Sequence, residues 1–400
     1  MSVKLVPGTT AFIFFLAALT TLGPLATDMY LPSLPAIQAA FATDTSAVQA
    51  TLSIFLIGTA GSQLIYGPLS DRVGRRPALL VGLGFYVFSS LACMLAQSIE
   101  QLMLARFLQA LGGGCSMVLA RAIVRDVYSG EAAAQMLARM AVIMGLVPAL
   151  APLLGGIVQK SFGWESNFIF MSAGGLAIAL LTYLKFPETL PAERRQTARS
   201  SGVASQYKRL ILDSRFRRYL LIGSFSFAGM FAYISGASFV LQNNYALSPV
   251  QFGLCFGTMV LGFIAGSFAS ARMGGRYGIE RMLLIGTSLI FAGGLLLVAA
   301  YLVSDKSVLA IILPITIYAT GVGITFPQSM AGALTPFPEI AGTASALMGF
   351  LQAAFAALVG LGVGHILNYG AWPMIATIAL MGAFTFLTTL SKHPRLRRTP

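Results

Sequence analysis

Long hydrophobic stretches recur along the whole chain, and short polar segments separate them. Each stretch holds about 20 residues, the length of helix that crosses the ~30 Å hydrocarbon core of a bilayer and about twice the length of a transmembrane β-strand. Because irregular backbone cannot face lipid, the pattern predicts an all-α membrane protein with twelve transmembrane helices. The predicted spans are 9–29, 48–67, 77–97, 102–122, 137–158, 167–186, 218–241, 251–271, 282–303, 309–328, 343–366 and 372–391.

Composition supports this prediction, and the positions of the charges orient the chain. Of the 400 residues, 56% are hydrophobic and 10% are charged, and the mean hydropathy is +0.80. If the spans alternate in direction, all of the 26 Lys and Arg residues fall on one side except Lys160, Lys306 and Arg106. The positive-inside rule then predicts that both termini are cytoplasmic. The net charge of +13 therefore reflects membrane topology, and no separate basic face remains for nucleic acid.

One long polar segment divides the spans into two sets of six. Residues 187–217 are basic and contain Pro, Ser and Gly, which predicts a cytoplasmic linker with a short interfacial helix at 207–212. We therefore expect one six-helix bundle at 1–186 and a second at 218–400, which ends in a basic tail.

A faint internal repeat supports this division. The loops after spans 2 and 8 share an Arg-x-Gly pattern, at Arg72/Gly74 and at Arg276/Gly278. Two related bundles of this kind commonly face each other across a central cavity, with binding sites near the middle of the membrane.

Two charged residues fall within or beside predicted spans. Arg106 lies in the fourth span, three residues before Gln109, and Asp28 lies near the end of the first. A charge in a bilayer costs at least ~3 kcal/mol, so such residues are retained for structure or for function. Arg106 could act on a nearby carboxylate or could be a structural hydrogen-bond hub. No other acidic residue lies deep in a span, so Asp28 is the best candidate for proton transfer, although it could instead be a hydrated residue at a helix end.

The loop between spans 2 and 3 and the fifth span carry two further motifs. The loop reads GPLSDRVGRR and contains Gly67, Asp71, Arg72, Gly74, Arg75 and Arg76. Its Arg residues could reach a carboxylate such as Asp126 and form a conformational latch, or they could serve topology alone.

The fifth span contains Gly145, Pro148, Pro152, Gly155 and Gly156. Its prolines predict kinks, and its glycines allow a close approach of helices.

Apolar and amide side chains in the spans are candidates for a substrate pocket. Adaptable apolar surface with few polar groups suits broad drug binding, although each such residue could equally pack against lipid or another helix. The candidates are Tyr30, Gln109, Met144, Phe227, Phe231, Tyr233, Tyr318, Met348 and Gln352.

These motifs together resemble the major facilitator superfamily, and in particular its bicyclomycin- and chloramphenicol-resistance branch (Bcr/CflA type) of twelve-span drug:proton antiporters. The similar segments include TDMYLPSLPAI, QLIYGPLSDRVGRRP, ARFLQALGGG, PALAPLLGG, FPETLPAERR and SFSFAGMFAYIS, which occur in order along nearly the whole chain. One departure is Ala110, where the superfamily often has glycine directly after the Gln of the fourth span.

The resemblance implies proton-coupled export of drugs across a bacterial inner membrane. It also implies proton exchange at Asp28 with help from Arg106, a latch in the loop after span 2 and an antiporter signature in span 5. The expected partners are small-molecule drugs, protons and the lipid bilayer, and a monomer is expected. We expect no enzyme, no cofactor and no metal site, because the sequence has no Ser/His/Asp set, metal cluster or phosphate loop. The alternatives are an uptake symporter, an exporter of an endogenous metabolite, and a membrane sensor or scaffold.

Overall fold

The computed structural model describes the backbone of residues 9–191, 203–304, 307–366 and 370–391. The middle of the predicted linker, the outer-loop residue Lys306 and the basic tail at 392–400 lie outside the described residues. Within the described ranges the regular elements are helices, which confirms the predicted all-α fold class.

The chain forms thirteen α-helices in its described part, and short turns connect them. They are α1 (Thr10–Asp28), α2 (Leu34–Ala40), α3 (Thr45–Val73), α4 (Arg75–Met94), α5 (Ile99–Val127), α6 (Gly130–Phe162), α7 (Glu165–Lys185), α8 (Val203–Leu212), α9 (Ser214–Phe239), α10 (Pro249–Val303), α11 (Leu309–Leu334), α12 (Ala341–Ile366) and α13 (Trp372–Leu390).

Eleven helical segments in the described ranges are long and apolar enough to cross a membrane, and α10 accounts for two predicted spans. Gly278 interrupts α10 with φ 75° and ψ 166°, a left-handed conformation that glycine adopts without a Cβ penalty. The predicted spans 251–271 and 282–303 lie on either side of this glycine. The turn at Gly278 therefore reconciles eleven continuous segments with the twelve expected spans.

The first span ends at Asp28 because the following sequence cannot continue an α-helix. Pro32 and Pro35 have no N–H to donate, and a 3₁₀ turn over Leu31–Ser33 replaces the helix before α2 begins at Leu34. This break places the last turn of α1 inside the protein, where its carbonyl groups need partners.

Packing divides the chain into two compact units. The first contains Met1–Ser201 with Ile234–Gly257 and Gly360–Ala371, and the second contains Gly202–Tyr233, Thr258–Val359 and Trp372–Pro400. In the first unit, α5 packs along α3 and α4, and α1 packs against α5 and α6. The C-terminal end of α9 and the first residues of α10 thus belong to the same unit as α1.

In the second unit, the short helix α8 shares a buried cluster with the ends of three longer helices, α9, α11 and α12. It extends four residues further towards the N-terminus than the predicted 207–212, because it starts at Val203. Leu210 is fully buried on one side, whereas Ile211 and Leu212 are exposed on the other. The buried cluster around Leu210 also contains Phe216, Ala333, Phe337, Ala344, Leu347 and Met348.

Candidate functional site

Arg106 lies fully buried in α5 and binds the end of α1. Its Nη1 group donates to the carbonyl of Ala26 at 2.9 Å and to Oε1 of Gln109 at 2.6 Å. The C-terminal end of a helix carries partial negative charge on its free carbonyls, so a cation is stabilised there. The guanidinium therefore acts as a C-terminal cap for the first span.

Aromatic rings surround the rest of this guanidinium. Its carbon atom lies 4.4 Å from the ring centre of Tyr30, 4.2 Å from that of Phe55 and 6.0 Å from that of Phe168. Cation–π attraction is strongest where the cation has lost its water, as it has here. The Nε and Nη2 groups have no hydrogen-bond partner among the described residues. There the charge is held by one carbonyl, one amide and three rings.

Gln109 and Tyr30 connect this charge to the neighbouring helices. Nε2 of Gln109 donates to Oγ of Ser90 at 2.8 Å, and the Tyr30 hydroxyl lies 2.9 Å from the hydroxyl of Thr51. Both predicted pocket residues are thus fully buried in a polar network around Arg106. In this conformation they position the arginine and do not face an open surface.

Asp28 lies at the last position of α1 and is 7% exposed. Within the part of the chain that the structure describes, its carboxyl group has no hydrogen bond and no ion pair. Arg106 does not neutralise it, because the guanidinium binds Ala26 two residues earlier. A buried carboxylate without a partner is unfavourable, and uptake of a proton removes that cost.

The loop between α3 and α4 forms a compact ionic network. Nε of Arg75 lies 2.7 Å from Oδ2 of Asp126, and its Nη1 lies 2.6 Å from Oδ1 of Asp71 and 2.6 Å from Oγ of Ser70. Arg75 and Asp126 are largely buried, whereas the Asp71 side chain is 47% exposed. Arg75 therefore ties the end of α3 to the end of α5.

The other two arginines of this loop do not reach Asp126, which corrects the expectation for them. Arg72 is exposed, and Nη2 of Arg76 donates to the carbonyl of Tyr183 at 2.7 Å. Arg72 lies in the last turn of α3, where its side chain is exposed. Arg75 and Arg76 begin α4, and successive helical residues point in different directions, so of these two only Arg75 faces α5. Gly74 precedes α4 with φ 103°, while the space beside Gly67 is open.

Glu188, in the segment that follows α7, caps the N-terminus of α4. Its Oε1 accepts from the N–H of Arg75 at 2.9 Å, and its Oε2 accepts from the N–H of Arg76 at 3.1 Å. The N–H groups of Thr189 and Leu190 also donate to Oε1, each at 3.0 Å. A carboxylate stabilises the free N–H groups and the positive end of a helix. No sequence motif indicated this capping role, although Glu188 lies in FPETLPAERR, one of the segments that resemble the family.

The glycines and prolines of α6 differ in what they contact. A Cβ at Gly155 would overlap the carbonyl of Met29, and one at Gly156 would lie 2.5 Å from the carbonyl of Pro249. Gly145, in contrast, has open space around it. Pro148 and Pro152 lie within α6. The close approach of α6 to the end of α1 and to the start of α10 therefore depends on the pair Gly155 and Gly156.

The candidate pocket residues of the second unit are mostly packed in its interior. Tyr318 is fully buried beside Gly229, and the amide of Gln352, which is 2% exposed, lies over Gly223. In the part of the chain that the structure describes, the hydroxyl of Tyr318 and the Oε1 and Nε2 atoms of Gln352 have no hydrogen-bond partner. Met348 belongs to the apolar cluster around Leu210, which gives it a packing role.

The remaining pocket candidates are the aromatic residues of α9 and Met144 on α6, which differ in their burial. The ring of Phe227 lies 6.3 Å from that of Phe231 and 5.8 Å from that of Phe326. Phe231 and Tyr233 are buried, and Met144 on α6 is partly exposed. The sequence could not show which of these side chains face a cavity, because apolar residues cover every side of a membrane helix.

Comparison with known proteins gives a consistent family assignment. A sequence model of the Major Facilitator Superfamily matches residues 14–361. A bicyclomycin resistance protein homolog of Haemophilus influenzae is 31% identical over 96% of this chain and 96% of its own length. A chloramphenicol resistance protein of Pseudomonas aeruginosa is 30% identical over 91% of this chain and 86% of its own length.

Solved structures show the same fold. The crystal structure of a D-xylose–proton symporter matches with a TM-score of 0.73 and covers 96% of this chain and 100% of its own. Its sequence identity is 16%, so the similarity concerns the fold alone.

Proposed function

The chain belongs to the major facilitator superfamily, and we propose that it is a proton-coupled multidrug efflux antiporter. It is a multi-pass membrane transporter and not an enzyme. Its proposed cargo consists of small amphipathic antibiotics, similar to bicyclomycin or chloramphenicol, which it exports from the cytoplasm. The names of the two relatives support this class of cargo. In this proposal both termini are cytoplasmic, the membrane is the bacterial inner membrane and the protein acts as a monomer.

One observation carries the proposal: the carboxyl group of Asp28 is buried at the end of α1 and has no partner among the described residues. Such a group is more easily buried when it carries a proton. Water that reaches the site lowers the cost of the charged form and so favours release of that proton. Asp28 can therefore bind and release a proton as its surroundings change, which is the property that a proton carrier needs.

The proposed cycle couples this proton to the drug. Asp28 takes up a proton from the outside as drug leaves, and the protein then changes conformation. Asp28 releases the proton to the cytoplasm, and drug binds from the cytoplasm or the inner leaflet. Exchange requires the drug to have different affinities for the protonated and the deprotonated protein, since a ligand shifts an equilibrium only through differential binding.

The experiment is a measurement of drug-induced proton release from energised everted vesicles. Wild type is compared with Asp28→Asn over a small panel that includes bicyclomycin and chloramphenicol. The matched control is Asp44→Asn, because Asp44 is exposed and caps α3 through the N–H of Ala47, a role that asparagine can also perform.

We expect a pH response in wild type and in Asp44→Asn that is lost in Asp28→Asn. A response that survives in Asp28→Asn would move the proton site to another residue. No response of wild type to any compound would contradict drug antiport. It would favour an uptake symporter or an exporter of an endogenous metabolite, which counterflow assays with sugars and amino acids would then distinguish.

A further inference from the structure

The short helix α8 exposes two large apolar side chains although it lies outside the predicted spans. Ile211 is 45% and Leu212 is 62% exposed, whereas Leu210 is fully buried in the apolar cluster of the second unit. With ten residues, α8 is too short to cross a bilayer. Exposed apolar residues on a short helix with basic neighbours are typical of a helix that lies in the membrane interface.

Contacts with the turn between α11 and α12 fix the position of α8. Nη1 of Arg209 lies 3.1 Å from Oε1 of Glu339, and the guanidinium carbon lies 5.5 Å from the ring centre of Phe337. The hydroxyl of Thr343 donates to Oε1 of Gln206 at 3.0 Å. These contacts and the burial of Leu210 make α8 a fixed part of the second unit, which presents the exposed side of the helix as a defined surface.

Basic side chains flank the two exposed apolar residues. Lys208 precedes Ile211 by three residues and Leu212 by four, a spacing that brings side chains to the same side of a helix. Lys208 and Arg217 are exposed, and Arg215 is partly exposed. None of the three basic residues has an ion pair within the described ranges.

The acidic residues that the structure describes in the second unit are engaged elsewhere. Oδ1 of Asp213 accepts from the N–H groups of Arg215 and Phe216, at 2.8 Å and 2.9 Å, and so caps the start of α9. Both carboxylate oxygens of Glu280 accept from Arg218, at 2.9 Å and 3.0 Å. Glu339 pairs with Arg209, as described above. The positive charges of Lys208, Arg215 and Arg217 therefore remain available to an external anion.

An anionic phospholipid has the chemistry that this surface lacks. Its headgroup phosphate attracts Lys and Arg, whose long aliphatic stems can lie along the apolar boundary of the membrane. That boundary also accommodates Ile211 and Leu212. A second copy of the chain would bring like charges together. The positive-inside rule explains basic residues in a loop, but it does not explain the exposed apolar side chains between them.

We propose that Lys208, Ile211, Leu212, Arg215 and Arg217 form a lipid anchor, a surface that binds anionic phospholipid headgroups and holds the start of the second unit at the membrane surface. This inference rests on the multi-pass membrane topology, but not on the proposed drug or on proton coupling. It assigns α8 a ligand, whereas the sequence predicted only an interfacial position for 207–212.

The experiment follows a fluorescent reporter on the anchor. The full chain carries alanine in place of Cys93, Cys115 and Cys255, and Leu212→Cys is labelled with bimane. The protein is placed in nanodiscs of dioleoyl phosphatidylcholine that contain increasing fractions of dioleoyl phosphatidylglycerol. The measurements are the emission maximum and the quenching by acrylamide, which is neutral and is not repelled by the anionic lipid. We expect phosphatidylglycerol to shift the emission to shorter wavelength and to reduce quenching.

A charge-matched pair of double variants tests which residues bind the lipid. Each Lys or Arg near an anionic surface strengthens binding about fivefold, so Lys208→Gln with Arg217→Gln should weaken the response about 25-fold and thereby abolish it. The control is Arg139→Gln with Lys185→Gln, which removes the same net charge from exposed positions of the first unit. We expect the control to respond as the parent does, and salt to weaken the response of both.

Three results would overturn the lipid anchor. One is a reporter in the parent protein that does not respond to phosphatidylglycerol, which would leave the surface to water, to neutral lipid or to an acidic protein. The others are an undiminished response in Lys208→Gln with Arg217→Gln, and an equal loss in the control pair. If the double variant aggregates, the single variant Lys208→Gln, with an expected fivefold loss, decides in its place. No drug or proton gradient is present, so failure here leaves the antiport proposal intact, and failure of antiport leaves the lipid anchor intact.

Discussion

The Nη1 group of Arg106 donates a hydrogen bond to the carbonyl of Ala26, 2.9 Å away, in the last turn of the helix that ends at Asp28. The buried positive charge is thus stabilised by a helix end and by aromatic rings, while the carboxyl group of Asp28 has no hydrogen bond or ion pair within the described ranges. This arrangement separates the structural role of the arginine from the proposed exchange of a proton at the aspartate.

Gln109→Leu should destabilise the protein, because among the described residues it leaves the buried Arg106 guanidinium with the Ala26 carbonyl as its only hydrogen-bond acceptor. We expect the free energy of unfolding to fall by about 2 kcal/mol, the usual cost of a buried polar group that loses a partner. The measurement is thermal unfolding in detergent. Gln101→Leu on the same helix is the comparison, since Gln101 is exposed and its side chain accepts an exposed hydrogen bond from the N–H of Gln97. Equal melting temperatures for the two variants would show that Gln109 does not stabilise Arg106.

Asp28→Asn should separate drug binding from proton coupling. Asparagine keeps the shape of the side chain but cannot exchange a proton, so downhill drug exchange should persist while uphill export stops. Counterflow in proteoliposomes without a proton gradient measures the first property, and export driven by an imposed pH gradient measures the second. Loss of both activities in a folded variant would instead indicate that Asp28 contacts the drug.

The two acidic partners of Arg75 should contribute different amounts to the free energy of folding. The Asp126 side chain is 10% exposed and that of Asp71 is 47% exposed. Asp126→Asn should therefore cost about 3 kcal/mol of folding free energy, and Asp71→Asn less than about 1 kcal/mol. Thermal unfolding of both variants tests this order.

Asp71→Asn also tests the latch itself. If Asp71 helps to hold one conformation, its neutralisation should change transport and the crosslinking between cysteines placed in the two sets of six spans. If both readouts matched wild type, the network would serve folding and topology alone.

Glu188→Ala should weaken the start of α4, because one carboxylate accepts the N–H groups of both Arg75 and Arg76. Loss of a helix cap costs about 1–2 kcal/mol, and Glu188→Gln should fall between alanine and wild type because one oxygen acceptor remains. Glu339→Ala is the control, since Glu339 forms only an exposed pair with Arg209. A melting temperature for Glu188→Ala equal to that of Glu339→Ala would contradict the capping role.

Alanine should affect the two ends of the glycine motif in α6 differently. Gly155→Ala places a Cβ against the Met29 carbonyl, so we expect a loss of about 2 kcal/mol or failure to fold. Gly145→Ala meets open space and should be neutral or stabilise the helix by up to about 1 kcal/mol. Expression level and thermal unfolding compare the pair, and equal behaviour would show that the close approach near Gly155 is not needed.

Much of the fold could be predicted from local patterns. The lengths of the apolar stretches predict the number of spans, and the helix end after Asp28 follows from Pro32 and Pro35. The hydrophobic pattern also separated spans 8 and 9, between which the structure has a non-helical turn at Gly278. The contacts of the site could not be predicted in the same way: Arg75 reaches Asp126 whereas Arg72 and Arg76 do not, and Met348 lies in the apolar cluster around Leu210.

Hydrophobicity and the cost of burying charge act residue by residue, so the membrane-crossing segments and the charged residues within them could be predicted from the amino-acid sequence. The contacts between distant groups could not, because they depend on how the helices pack. Arg106 is hydrogen-bonded to Ala26, which is 80 residues away in the sequence. The corresponding separations are 113 residues for Glu188 and Arg75 and 207 residues for Ser238 and Leu31. In each pair one partner is a backbone carbonyl or N–H group, which every residue carries. A backbone partner of this kind cannot be recognised from residue identity, because the packing of the helices determines which backbone group lies near the side chain.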